Sequence, residues 1–204
     1  MPQVAGFPHG RVPGEVRQQQ LLDVAERLFA ERGYRATSIE GIAAAARVTR
    51  PVVYQHFGSK EGVYLEVLRR ARAQMEKLIF ENMATATDVQ SRVRAAADAY
   101  FRFVELDPDR FRVLFGADAA SVPPVVAEEA KQLHLRTERG WAAMLSEAAP
   151  GYDQRFYQAV AHAIGGAGNQ LAQWWLRTPG VSREQLVDWY CEITWGGVGA
   201  IAGA

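Results

Sequence analysis

The sequence predicts an all-α fold, on three observations. Apolar residues recur at helical spacing through most of the 204 residues. No run of alternating β-branched residues between turn signals is long enough to argue for a sheet. Proline and glycine punctuate the periodic stretches at Pro108, Pro123-Pro124, Pro150-Gly151 and Pro179-Gly180.

A first helix is predicted over residues 15–32, with Leu21, Leu22, Ala25, Leu28 and Phe29 on one face and Gly33 ending it. Thr37 and Glu40 then have the spacing of a capping box, in which hydroxyl and carboxylate each satisfy a free N–H at a helix start. Ile39, Ile42, Ala43 and Ala46 make the buried stripe of a second helix. That helix is only about two turns long, too short to stand without neighbours. Thr49 caps a third helix, and Pro51 falls in its first turn, where proline removes no helical hydrogen bond. Gly58-Ser59 breaks and recaps the chain. A long amphipathic fourth helix follows from Lys60 to Asn82, with Val63, Tyr64, Val67, Leu68, Ala71, Met75, Leu78 and Ile79 on its apolar face. Further helices are predicted over 89–106, 109–115, 122–148, 154–177 and 183–203. The expected organisation is a flexible arm over 1–14, a small helical domain over 15–60, and a larger helical domain over 61–204.

Composition narrows the class. With 49% hydrophobic and 23% charged residues the chain is that of a globular protein. The single Cys191 cannot form an internal bridge and suits a reducing compartment, so a cytoplasmic location is expected. The uncharged apolar run at 193–204 is well short of the roughly 18 residues that a membrane helix needs. Net charge is zero, but its division is uneven. Residues 1–80 hold 12 Lys and Arg against 8 Asp and Glu, and the remainder holds 11 against 15. A basic N-terminal part on an acidic body suggests a polyanion-binding module.

Two short helices joined by a tight turn form the geometry in which one helix braces on the DNA backbone while the other enters the major groove. The third helix is the candidate reader. Thr49 and Arg50 stand at its N-terminus, and arginine makes paired hydrogen bonds to guanine. Tyr54, His56 and Lys60 are donors suited to phosphate oxygens, which fix register without reading sequence. Thr37 would add a backbone contact at the start of the second helix, where the dipole favours an anion. Tyr54 and Phe57 also suit the small core, so Tyr54 serves packing, DNA, or both.

The stretch Gly33-Tyr34-Arg35-Ala36-Thr37-Ser38-Ile39 through Ile42-Ala43, then Val48-Thr49-Arg50-Pro51-Val52-Val53-Tyr54-Gln55-His56-Phe57 and Ser59-Lys60-Glu61, resembles the DNA-binding segment of the TetR family. The resemblance covers residues 15–65. It implies an all-α homodimer with an N-terminal three-helix DNA-binding domain and a divergent C-terminal domain for a small effector. Repression of a palindromic operator, relieved by an apolar or amphipathic ligand, is the role it implies by default. Two positions depart from the pattern: Arg47 replaces a frequent turn glycine, and Pro51 stands where glycine is common. A left-handed backbone at 47 would strain arginine, while its cation lies near the DNA backbone. Both join the DNA-binding set.

No motif beyond residue 85 identifies a ligand. Phe101, Phe111, Phe115, Trp141 and Met144 are large apolar side chains that either line a ligand cavity or form plain core. Asn169 is an amide in an apolar helix, where a ligand could partner it. The last two helices combine aromatics with glycines at 165, 166, 168, 196, 197 and 199, a pattern that suits close helix approach at an interface. Phe156, Val160, Ile164, Leu171, Trp175, Trp189 and Ile193 are the expected dimer contacts, with completion of the chain's own core as the other reading. Dimerisation would set two readers about 34–36 Å apart on a palindrome. An enzyme would need a site, and none is legible. His9, His56, His134 and His162 lack metalloprotease spacing, and no phosphate loop follows a strand. No metal or cofactor is expected.

Overall fold

The computed structural model describes residues 13–116 and 122–202, with side chains through Trp195. Most of the expected arm lies outside the described residues. Among them the chain is helical throughout, with no strand: α1 (Gly14–Ala36), α2 (Ile39–Ala45), α3 (Arg50–Phe57), α4 (Lys60–Met83), α5 (Val89–Leu106), α6 (Pro108–Phe115), α7 (Pro124–Ala148), α8 (Gln154–Trp175) and α9 (Arg183–Ala202).

These helices form two compact units, and their boundary differs from the expected one at residue 60. The first unit runs through Ala71 and takes in Asp109–Ala130; the second comprises Arg72–Pro108 and Lys131–Ala204. Helix α4 therefore contributes to both. In the first unit, Leu21, Leu22 and Phe29 of α1, Ile42 of α2, Val53 of α3 and Val63 and Val67 of α4 share one core with Val113 of α6 and Val126 of α7. Tyr64 meets Phe29 and Tyr34 edge-on, with ring centroids 4.8 and 5.0 Å apart. Burial of side chains this size, at about 1.5–3 kcal/mol each, is what holds helices too short to persist alone.

A buried charge cluster supplements that core. The carboxylate of Glu26, only 6% exposed, lies 2.7 Å from Arg70 of α4 and 2.7 Å from Arg110 of α6. Asp23 pairs with Arg70 at 2.7 Å. One acidic residue of α1 thus engages guanidinium groups from two other helices.

In the second unit α5, α8 and α9 pack together. Phe101 is fully buried, with Tyr190 and Trp175 edge-on at 5.5 and 6.2 Å. Gly168 of α8 faces Tyr100 and Tyr190, where a Cβ would stand in ordinary van der Waals contact at 3.5 Å. Arg183 at the start of α9 binds Asp98 at 3.0 Å and Glu105 at 2.8 Å on α5. Tyr157 donates to the Ala149 carbonyl at 2.6 Å and anchors α8 on the end of α7.

Candidate nucleic-acid interface

The local chain from Gly33 to Ser59 builds a helix-turn-helix. Gly33 takes φ 75° and ψ 173°, a break that one further helical turn follows before the chain leaves α1. The cap of α2 is Ser38, not the Thr37 that the capping-box spacing indicated. Ser38 Oγ accepts from the Gly41 N–H at 3.0 Å. Thr37 is instead 2% exposed and turned inward, its hydroxyl donating to the Gly33 and Leu28 carbonyls at 2.8 and 3.1 Å. With its hydroxyl so engaged, the Thr37 side chain is not presented to a phosphate, contrary to the expectation. The threonine locks the α1–α2 turn.

Arg47 is the residue on which the turn between α2 and α3 depends. Its φ is 53°, and no other described non-glycine residue has a positive φ. The N–H of Val48 donates to the Ala43 carbonyl at 2.9 Å, and that of Arg47 to Ala44 at 3.1 Å. This pair of bonds closes a helix through one left-handed residue, ordinarily glycine. Arginine there costs about 1–2 kcal/mol and places an exposed cation in the turn.

Thr49 begins α3 in an extended conformation, and its hydroxyl makes no capping bond. That differs from the cap expected of it. Val53, with no exposed surface, seats α3 in the core, while Thr49, Arg50, Pro51, Tyr54 and Gln55 are all exposed. Arg50 Nη1 lies 2.8 Å from Glu40 Oε1 of α2, with 62% and 58% of these side chains exposed. The arginine's hydrogen bond is the first cause holding the Glu40 pKa below its ordinary value. Gly58, at φ 74°, ends α3, and Ser59 caps α4 by accepting from the Gly62 N–H at 3.1 Å.

His56 is half-buried with its ring beside Phe57. Lys60 is also half-buried. Its ammonium donates to the Arg35 carbonyl at 3.3 Å and lies 4.3 Å from the centroid of the Tyr34 ring. Burial, against the pull of Glu61, lowers its pKa. Tyr34 donates to Glu61 at 2.9 Å, and burial above all raises its phenol pKa. Arg47, Thr49, Arg50, Pro51 and Tyr54 thus follow one another as exposed positions, and Lys60 is tied to the end of α1. Gln55 and Glu40, which the sequence reading did not place among the DNA contacts, are exposed as well. Gln55 stands one helical turn beyond Pro51, a spacing that would have found it. Amides of this kind pair with adenine.

The expected effector residues are divided between the two units. Phe111 and Phe115, with ring centroids 5.3 Å apart, belong to the first unit; Phe101, Trp141, Met144 and Asn169 belong to the second. Trp141 stacks on Phe80 at 6.1 Å, and the Gln173 amide donates to Asn169 at 3.2 Å. Sequence periodicity gave no sign of Arg72, a guanidinium 7% exposed on α4 whose pKa burial pushes down against the fields of Glu76, Tyr100 and Glu138. Of the expected interface residues, Phe156, Trp189 and Ile193 are exposed, whereas Val160, Ile164, Leu171 and Trp175 are half-buried. Trp175 also donates to the Val181 carbonyl at 2.8 Å.

A short capped helix, a tight turn and a second helix with an exposed polar face define a helix-turn-helix DNA-binding protein. The family description "Bacterial regulatory proteins, tetR family" matches residues 21–67. The HTH-type transcriptional activator FasR of Mycolicibacterium smegmatis is 32% identical over 191 residues, covering 92% of this chain and 85% of that relative. The chain belongs to the TetR family and is a transcriptional regulator. Its fold is similar to that of the fatty acid degradation regulator FadR from Bacillus halodurans, with a TM-score of 0.76, 20% identity, and 88% and 98% of the two chains covered. It is also similar to AibR, solved in complex with isovaleryl coenzyme A and operator DNA, with a TM-score of 0.69, 20% identity, and 91% and 97% covered. No helix among the described residues is long and apolar enough to cross a membrane.

Proposed function

We propose that this regulator acts as a homodimer, reads a palindromic operator with α3, and responds to a small amphipathic effector held in its helical body. The observation that carries the reading is the exposed run Thr49, Arg50, Tyr54 and Gln55, backed by the wholly buried Val53. Arg50 exchanges Glu40 for a guanine edge, Gln55 and Thr49 add base contacts, and Arg47, Pro51, Tyr54, His56 and Lys60 lie against the backbone. Large apolar side chains left exposed on α8 and α9, namely Phe156, Trp174, Trp189 and Ile193, support the dimer. The bound isovaleryl coenzyme A of AibR supports an acyl-bearing effector.

Repression relieved by the effector is the default reading. Activation is a second reading, favoured by the likeness to the activator FasR over 92% of the chain. The test is footprinting and gel shift on the protein's own promoter DNA at two salt concentrations with excess unrelated DNA. A protected palindrome, bound less well by Arg50→Ala, supports the operator reading; equal binding to every sequence, lost at modest salt, rejects it. In vitro transcription from that promoter decides between repression and activation.

A further inference from the structure

Helices α7 and α8 bring together three donors that the DNA-reading function does not use. His134 and Glu138 stand one turn apart on α7, with Nε2 and Oε1 separated by 3.0 Å. His162 of α8 points its Nδ1 at the same Glu138 oxygen. The three donor atoms all lie within 4.8 Å of one another. We propose that His134, Glu138 and His162 form a binding site for a divalent transition ion of the zinc class, which ties α7 to α8.

The donor set and the spacing carry this. Two imidazoles and a carboxylate are a common three-residue ligand set for zinc, and water completes the tetrahedron. With bonds of about 2.0–2.2 Å, donors around a tetrahedral ion lie roughly 3.3 Å apart. One pair already meets that spacing. Drawing in the third requires a small side-chain rotation, and His162, with 72% of its side chain exposed, is free to make it. The same exposure leaves room for the water. As an ion pair alone, a histidine this exposed gains little, yet both rings converge on one oxygen. Arg72 is the cation whose field reaches Glu138 and His134, and Glu76 is the first of the groups that offset it. The metal would be preferred over calcium or magnesium, because imidazole suits zinc, nickel and copper rather than hard cations.

Chelator-stripped full-length protein is titrated with zinc by calorimetry, and with cobalt(II) as a spectroscopic probe. The expected result is one saturable ion per chain, a tetrahedral cobalt spectrum, and a higher Tm with zinc in excess. His162→Ala and Glu138→Gln each weaken binding by roughly tenfold or more and abolish the Tm increase, while keeping the helical circular dichroism of the parent. His162 is exposed, so its loss leaves packing intact. Absence of saturable binding, or equal binding by the parent and both variants, overturns the proposal and leaves a carboxylate shared by two rings.

Discussion

Arg50 at the start of α3 is held 2.8 Å from Glu40 at the start of α2, with both side chains in solvent. The guanidinium cannot serve a base edge and this carboxylate at once. Because the pair is exposed, water and salt screen it, so exchange for a guanine is easy. Glu40 also repels approaching phosphates. Glu40→Gln is therefore expected to tighten operator binding several-fold at low salt, with less gain at high salt. Arg50→Ala weakens operator binding on the order of tenfold and unrelated DNA less. Fluorescence anisotropy at two salt concentrations measures both, and an unchanged affinity of Glu40→Gln at low salt would refute the competition.

Arg47→Gly separates strain from charge. Glycine adopts φ 53° without penalty, which relieves about 1–2 kcal/mol, but it loosens the unfolded chain by about 0.5–1 kcal/mol. The net is about 1 kcal/mol of stabilisation, or a Tm about 2–4 °C higher for a chain of this size. Loss of the cation lowers the salt dependence of DNA binding by about one phosphate contact. A variant that melts lower than the parent would show that arginine is not strained there.

Glu26→Ala leaves the Arg70 and Arg110 guanidinium groups without their shared, buried carboxylate. Breaking a buried pair in this way costs about 3–5 kcal/mol. The urea midpoint for the first unit should fall accordingly, and Glu26→Gln, which keeps the volume and some hydrogen bonding, should fall less. A loss under about 1 kcal/mol for the alanine variant would mean that water replaces the carboxylate.

Trp189 and Ile193 lie one turn apart on α9 and are 41% and 64% exposed. Trp189→Asp with Ile193→Asp puts two charges into the proposed dimer surface, where burial without partners is costly. Sedimentation velocity should show the parent as a dimer and the variant as a monomer, with operator binding lost alongside. A variant that remains dimeric places the interface elsewhere.

Helical periodicity made the nine described helices legible, because each has one apolar face that must be buried. Local chemistry was less complete. Ser38 and Thr37 are adjacent hydroxyls, and spacing alone could not say which one caps α2 and which one turns inward to Leu28 and Gly33. The strain at Arg47 was foreseen only because arginine stood in a turn where glycine is frequent. Segment 109–130 was placed with the body because it follows α5 in sequence, yet Val113, Val126 and Arg110 complete the first unit. Such long-range partners leave no periodic trace. The same is true of His134 and His162, which only the packing of α7 on α8 brings to one oxygen.

The discontinuity of the first unit has a consequence for synthesis. A ribosome that has released residues up to Ala71 has made the whole DNA-reading motif but not the helix bearing Arg110, nor the valines that close the core over α1 and α4. The nascent reader must wait for nearly sixty further residues, the span from Ala71 to Ala130, before its last apolar wall arrives. A fragment excised at Ala71 would expose that wall's seat to water. Closure of the reader's core is thereby deferred until part of α7 has been made.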